Sequence, residues 1–79
     1  MQSIGYKGYK IQAAPYQLAE SKEWTINIYI FIDKGSEIVE RNYSAGNTFQ
    51  TEEEAITHCL DFGRQIIDGQ IPGCYVNDL

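Results

Sequence analysis

Residues 49–59, FQTEEEAITHC, gather three carboxylates, the single histidine of the chain and one of its two cysteines into eleven positions. Two chemistries could use this density of ionisable and nucleophilic groups. Glu54, His58 and Asp61 stand at i, i+4 and i+7, on one side of a helix, and a carboxylate–imidazole–carboxylate set can hold a divalent cation. Against a metal, Thr51 and Glu54 have the spacing of a capping box, which commits the glutamate to the helix start, and the side they share is the solvated one. The second chemistry, a His58–Cys59 nucleophile pair, fails on geometry, because consecutive helical residues diverge by about 100° and their side chains do not meet. Cys59 falls in an apolar stripe and reads as a small buried hydrophobe. Cys74, in the tail IPGCYVNDL, reads as an exposed thiol with no basic neighbour to activate it. No catalytic residue, resident metal or cofactor is expected, and a single-layer domain of this size has little depth for an enzyme pocket.

Two further patterns invite a binding function. Gly5-Tyr6-Lys7-Gly8 has the G-x-x-G spacing of a phosphate-clamping loop, but such a loop joins two helices, whereas this one opens a strand. Edge-strand or bulge glycines are the better reading. The stronger pattern is aromatic: Tyr29 and Phe31 alternate with isoleucines and belong to the second face of a sheet. Lys10, Arg41 and Tyr43, and also Tyr6, are candidates to join them there. Nucleic-acid bases stack on such faces. Six basic against eleven acidic residues, however, give a net charge of -5, which repels phosphate. A protein partner or self-association is therefore favoured over nucleic acid for the face formed by Tyr29, Phe31, Lys10, Arg41 and Tyr43.

The elements that must position these residues follow from periodicity. In residues 24–33, WTINIYIFID, Trp24, Ile26, Ile28, Ile30 and Ile32 alternate with Thr25, Asn27, Tyr29, Phe31 and Asp33, the period of a strand. Asp33-Lys34-Gly35-Ser36 supplies turn chemistry, so residues 37–44 should return as an antiparallel partner. Residues 6–14 form the expected first strand, stopped by Pro15, and residues 16–23 a polar loop or a frayed hairpin end that joins the first two strands. From Ala55 the period changes. Apolar positions 55, 56, 59, 60, 62, 63, 66 and 67 span about 160° of a helix over residues 52–68, capped by Thr51 and Glu54 and ended by Gly69, with Pro72 beyond. Gly63 sits inside that stripe, where the missing Cβ should let the helix lie close on an aromatic of the sheet. Residues 69–79 are expected to be an irregular tail.

Composition bounds the rest. With 43% hydrophobic and 13% aromatic residues, the 79-residue chain should fold as one domain, residues 1–79. It should bury only roughly 60% of the surface exposed when unfolded. Two cysteines, and an opening MQSIGYKGYK without an apolar signal region, point to a reduced, cytoplasmic protein. The longest nearly apolar run, Ile26–Ile32, falls far short of the roughly 20 residues a membrane span requires.

The segments YKGYKIQAAP, TFQTEEEA and GRQIIDG together resemble the small bacterial domains described as HlyU-like. Those domains share Tyr-x-Gly-aromatic-x-Ile, a Phe-x-Thr/Ser-x-Glu-x-Ala helix start and Ile-Asp before a terminal glycine. The resemblance covers most of the chain through motifs of strand, cap and helix end, and it implies transcriptional activation. The residues themselves offer one helix where a helix-turn-helix needs two. More loosely, the chain is similar to the strand-strand-strand-helix front of HicB-type antitoxins, whose helix opens with Glu-Glu-Ala and which imply a toxin-binding or self-associating sheet. Neither resemblance assigns a functional residue.

The expectation is therefore an α+β domain, a three-stranded antiparallel meander followed by one C-terminal amphipathic helix on one sheet face. It should act without catalysis as a small interaction or regulatory protein, a homodimer or the binder of a protein partner. The alternative is a transcriptional regulator that binds nucleic acid through the same aromatic face.

Overall fold

The alternating and helical stretches become the expected kinds of element in the computed structural model, which describes residues 2–76. In chain order these are β1 (Ser3–Tyr6), β2 (Tyr9–Ala13), β3 (Tyr16–Gln17), β4 (Trp24–Asp33), β5 (Ile38–Phe49) and α1 (Glu52–Ile67). All strand pairs are antiparallel, so the class is α+β with one C-terminal helix. The sheet has five strands rather than the three expected.

Each extra strand has a local cause. Residues 6–14 are not one strand, because Lys7 (φ 50°) and Gly8 (φ 85°) both adopt positive φ. Two such residues make a tight primed turn, and β1 folds back on β2 with Ile4 opposite Ile11 and Tyr6 opposite Tyr9. The G-x-x-G stretch is thus a hairpin turn, with Gly5 in an edge strand. Beyond Pro15 the chain rejoins the same edge of β4, Tyr16 opposite Thr25 and Gln17 opposite Trp24, where a loop or a frayed hairpin end was expected. Finally, β5 runs to Phe49 rather than residue 44. Its register slips between Thr25 and Ile26 of β4, so that Gly46 and Asn47 bulge out. The buried Thr25 hydroxyl lies 2.9 Å from the Ala45 carbonyl and 3.1 Å from that of Asn47, which satisfies the polar groups freed there.

The β4–β5 turn and both helix ends follow the expected chemistry. Gly35 takes positive φ, its amide donates to the Asp33 carboxylate, and Lys34 N–H bonds to the Glu37 carbonyl. Thr51 caps α1 by accepting from the Glu54 amide at 3.2 Å. At the other end Gly69 (φ 75°) and Gln70 donate to the carbonyls of Ile66 and Gln65, the paired bonds of a Schellman motif. Residues 70–76 are irregular, and residues 77–79 of the expected tail lie outside the described residues.

The helix lies on the even-numbered face of β4. Ile26, Ile28 and Ile30 are buried beneath it with Ile11, Ala13, Cys59, Leu60 and Ile66. Gly63 does pack closely, though on aliphatic Ile11 rather than an aromatic: a Cβ at position 63 would stand 2.5 Å from Ile11 Cγ2. The tail covers the rest of this face, with Val76 buried in the core and Ile71 packed against it.

Candidate interaction face

With α1 and the tail on one side, the odd-numbered residues of β4 face the other. The ladder places Lys10, Phe31 and Glu40 in one row across β2, β4 and β5, and Gln12, Tyr29 and Asn42 in the next. The Tyr29 and Phe31 rings are 6.5 Å apart between centroids and tilted by 35°, and Lys10 Nζ stands 5.9 Å from the Phe31 centroid. Lys10, Gln12, Phe31, Asp33 and Ile38 line a shallow depression of about 590 Å³. Ile38 is 68% exposed, the most exposed large hydrophobic side chain among the described residues. The face is a small aromatic centre with a mixed polar rim, one cation and two carboxylates.

Arg41 and Tyr43 are not part of it. They stand opposite Ile30 and Ile28 on the covered face, and Tyr43 is buried. The Tyr43 hydroxyl and Arg41 Nη1 both donate to the Tyr75 carbonyl, so these two residues hold the tail. The expectation fails because paired residue numbers in β4 and β5 sum to an odd number, as in Ile28 with Tyr43. Even positions of one strand therefore meet odd positions of the other. What reasoning from sequence missed on the open face is Gln12, Ile38, Glu40, Asn42 and Ser44. The alternation of Val39 and Tyr43 with Glu40, Asn42 and Ser44 carried that signal.

Tyr6 also leaves the open face. Its hydroxyl donates to Asp68 at 2.8 Å, and Lys7 Nζ pairs with the same carboxylate, which ties the first hairpin to the end of α1. Lys7, then Tyr6, holds the Asp68 carboxyl below its ordinary pKa, and in return Asp68 raises the pKa of both partners.

Around the helix start, each residue considered as a metal ligand has another partner. Glu54 accepts from the Thr51 hydroxyl, His58 stacks on Phe49 with centroids 4.3 Å apart, and Asp61 accepts from Gln65. Among the described residues no three His, Cys, Asp or Glu side chains converge as a metal site would require. Cys59 turns inward beside exposed His58, its thiol 3.6 Å from the Asn27 carbonyl, and burial pushes its pKa up. Cys74 is half-buried rather than exposed. No helix among the described residues is long and apolar enough to cross a membrane.

Comparison with known protein families, with curated proteins and with solved structures finds no match to this chain.

Proposed function

We propose that this chain is a small non-catalytic interaction protein that binds a protein partner, or a second copy, through the open sheet face centred on Tyr29 and Phe31. The observation that carries this reading is one-sided coverage: helix and tail shield one face, while two aromatic rings and Ile38 remain on the other. An apolar centre with a charged rim is the usual anatomy of a protein contact. The resemblance to the self-associating sheet of HicB-type antitoxins agrees with it but adds no residue. The nucleic-acid alternative is weaker: of the two cations it needs, Lys10 shares a row with Glu40 and Arg41 binds the tail on the opposite face.

Capture of partners from native extract on the immobilised chain tests the reading, with light scattering to measure self-association. Tyr29→Ser with Phe31→Ser should weaken any contact made through the open face by about tenfold or more, because central aromatics dominate such interfaces. Retention of every contact by the double variant would remove the open face as the docking surface.

A further inference from the structure

The open face is not the only surface on which the sheet is incomplete. Among the described residues β5 pairs with β4 alone, so one whole side of a 12-residue strand carries no neighbouring strand. Natural edges of this length are usually guarded by proline, by inward-pointing lysine or by being kept short. β5 has neither proline nor lysine; its one inward-facing charge, Arg41, donates to the Tyr75 carbonyl, and its one irregularity, at Gly46 and Asn47, lies near its end. The other strands with an open side, β1 and β3, are only four and two residues long.

Hydrogen-bond alternation shows which backbone groups that edge presents. The Ala14 amide donates to the Asn27 carbonyl at 2.9 Å, so the backbone groups of Asn27 point toward β2. Odd residues of β4 thus bond toward β2 and even ones toward β5. Their partners Val39, Arg41 and Tyr43 bond inward to β4, leaving the N–H and C=O groups of Ile38, Glu40, Asn42 and Ser44 directed outward.

We propose that this edge pairs antiparallel with β5 of a second copy, about a two-fold axis at Asn42, to make one continuous sheet of ten strands. Three features select a second copy and this register. First, β5 is neutral within an acidic chain: Glu40 and Arg41 are its only charged residues, so two copies can approach here without the repulsion of their net charge of -5. Second, a two-fold axis through Glu40 or Arg41 would set like charges directly opposite each other, which destabilises a cross-strand pair. An axis through Tyr43 would run Val39 into the bulge at Asn47. An axis at Asn42 sets Glu40 opposite Ser44, Arg41 opposite Tyr43 and Val39 opposite Ala45, and about six backbone hydrogen bonds form among residues 40, 42 and 44. Third, it brings exposed Ile38 opposite Gly46, around whose absent side chain no atom lies within 4 Å.

The pairing rests on the reading of this chain as an interaction protein but uses a different surface, and the test separates the two. In the unmodified chain, sedimentation over a concentration series is followed together with amide exchange by NMR. The expected result is a dimer mass at high concentration, with the Glu40, Asn42 and Ser44 amides becoming protected as it forms while those of Val39, Arg41 and Tyr43 stay protected throughout. A monomer at every concentration, with outward amides always exchanging freely, overturns the pairing. Ser44→Pro removes one outward N–H and leaves the β4 ladder intact, so it should weaken the dimer about tenfold or more with the circular dichroism unchanged. Should proline unfold the chain, Ser44→Glu, which faces Glu40, should also weaken the dimer, and adding Glu40→Lys should restore it. A dimer that ignores the Ser44→Glu charge but dissolves with Tyr29→Ser and Phe31→Ser overturns the edge pairing and leaves the open face standing.

Discussion

At position 63 a single methyl group decides how the helix can sit. The carbon that Gly63→Ala would add lies 2.5 Å from one atom of Ile11 and 2.9 Å from another, and Ile11 is wholly buried. Alanine favours the helical state by about 1 kcal/mol, but overpacking a closed core costs about 1–3 kcal/mol. The second effect wins. Gly63→Ala should lower the denaturation midpoint, with a net loss of up to about 2 kcal/mol measured by urea unfolding. The paired variant Gly63→Ala with Ile11→Val, which removes one methyl group from the crowded partner, should recover part of it. A stabilised single variant would mean that the helix shifts outward at no cost.

At the scale of elements, the first hairpin is held to the end of α1 by a latch of three side chains. Tyr6 and Lys7 both bind the Asp68 carboxylate; Lys7 and Asp68 are exposed, while Tyr6 is partly buried against the core. Asp68 has a folded pKa below its ordinary 3.8, so its contribution is fully present above that value and is lost as pH falls through the lower folded one. Lys7 is raised above 10.5 and Tyr6 above 10.0, so on the alkaline side the contribution persists through those values and is lost as pH rises past the raised ones. Amide exchange of residues 3–9 should therefore accelerate, beyond its intrinsic pH dependence, only at the two extremes. Asp68→Asn should show faster exchange at neutral pH and no further step in acid. A surface ion pair contributes little to global stability, so the melting temperature should barely move.

For the whole molecule, the decisive arrangement is that helix and tail divide one sheet face between them. The helix lies over β2 and β4, while the tail reaches β5 through the Tyr75 carbonyl, which receives both the Tyr43 hydroxyl and Arg41. Tyr43→Phe keeps the buried ring and removes one of these bonds. It should cost about 0.5–1.5 kcal/mol in thermal or chemical unfolding and loosen the tail, which faster alkylation of half-buried Cys74 would report. The open-face contact should be unaffected, because Tyr43 faces the other way. Loss of partner capture by Tyr43→Phe would show that the two faces are coupled.

How much of this could be read without coordinates depends on how far apart the interacting residues lie. The isoleucine ladder of β4, the turn at Gly35, the Thr51 cap and the Gly69 stop all rest on residues within a few positions of one another, and local chemistry is enough to specify them. The density of reactive groups at residues 49–59 was legible in the same way, as helix-start chemistry with Cys59 turned in and His58 turned out. The primed turn at Lys7-Gly8 was local too, but lysine is an unusual occupant of positive φ and so a poor signal. What the sequence left open depends on register. Whether Arg41 and Tyr43 or Glu40 and Asn42 share the face of Tyr29 turns on a one-residue offset between two strands, and the length and bulge of β5 turn on its pairing with Trp24 and Thr25. Side chains alternate with a period of two, so the open face and the outward edge of β5 came into being only when tertiary pairing chose that offset.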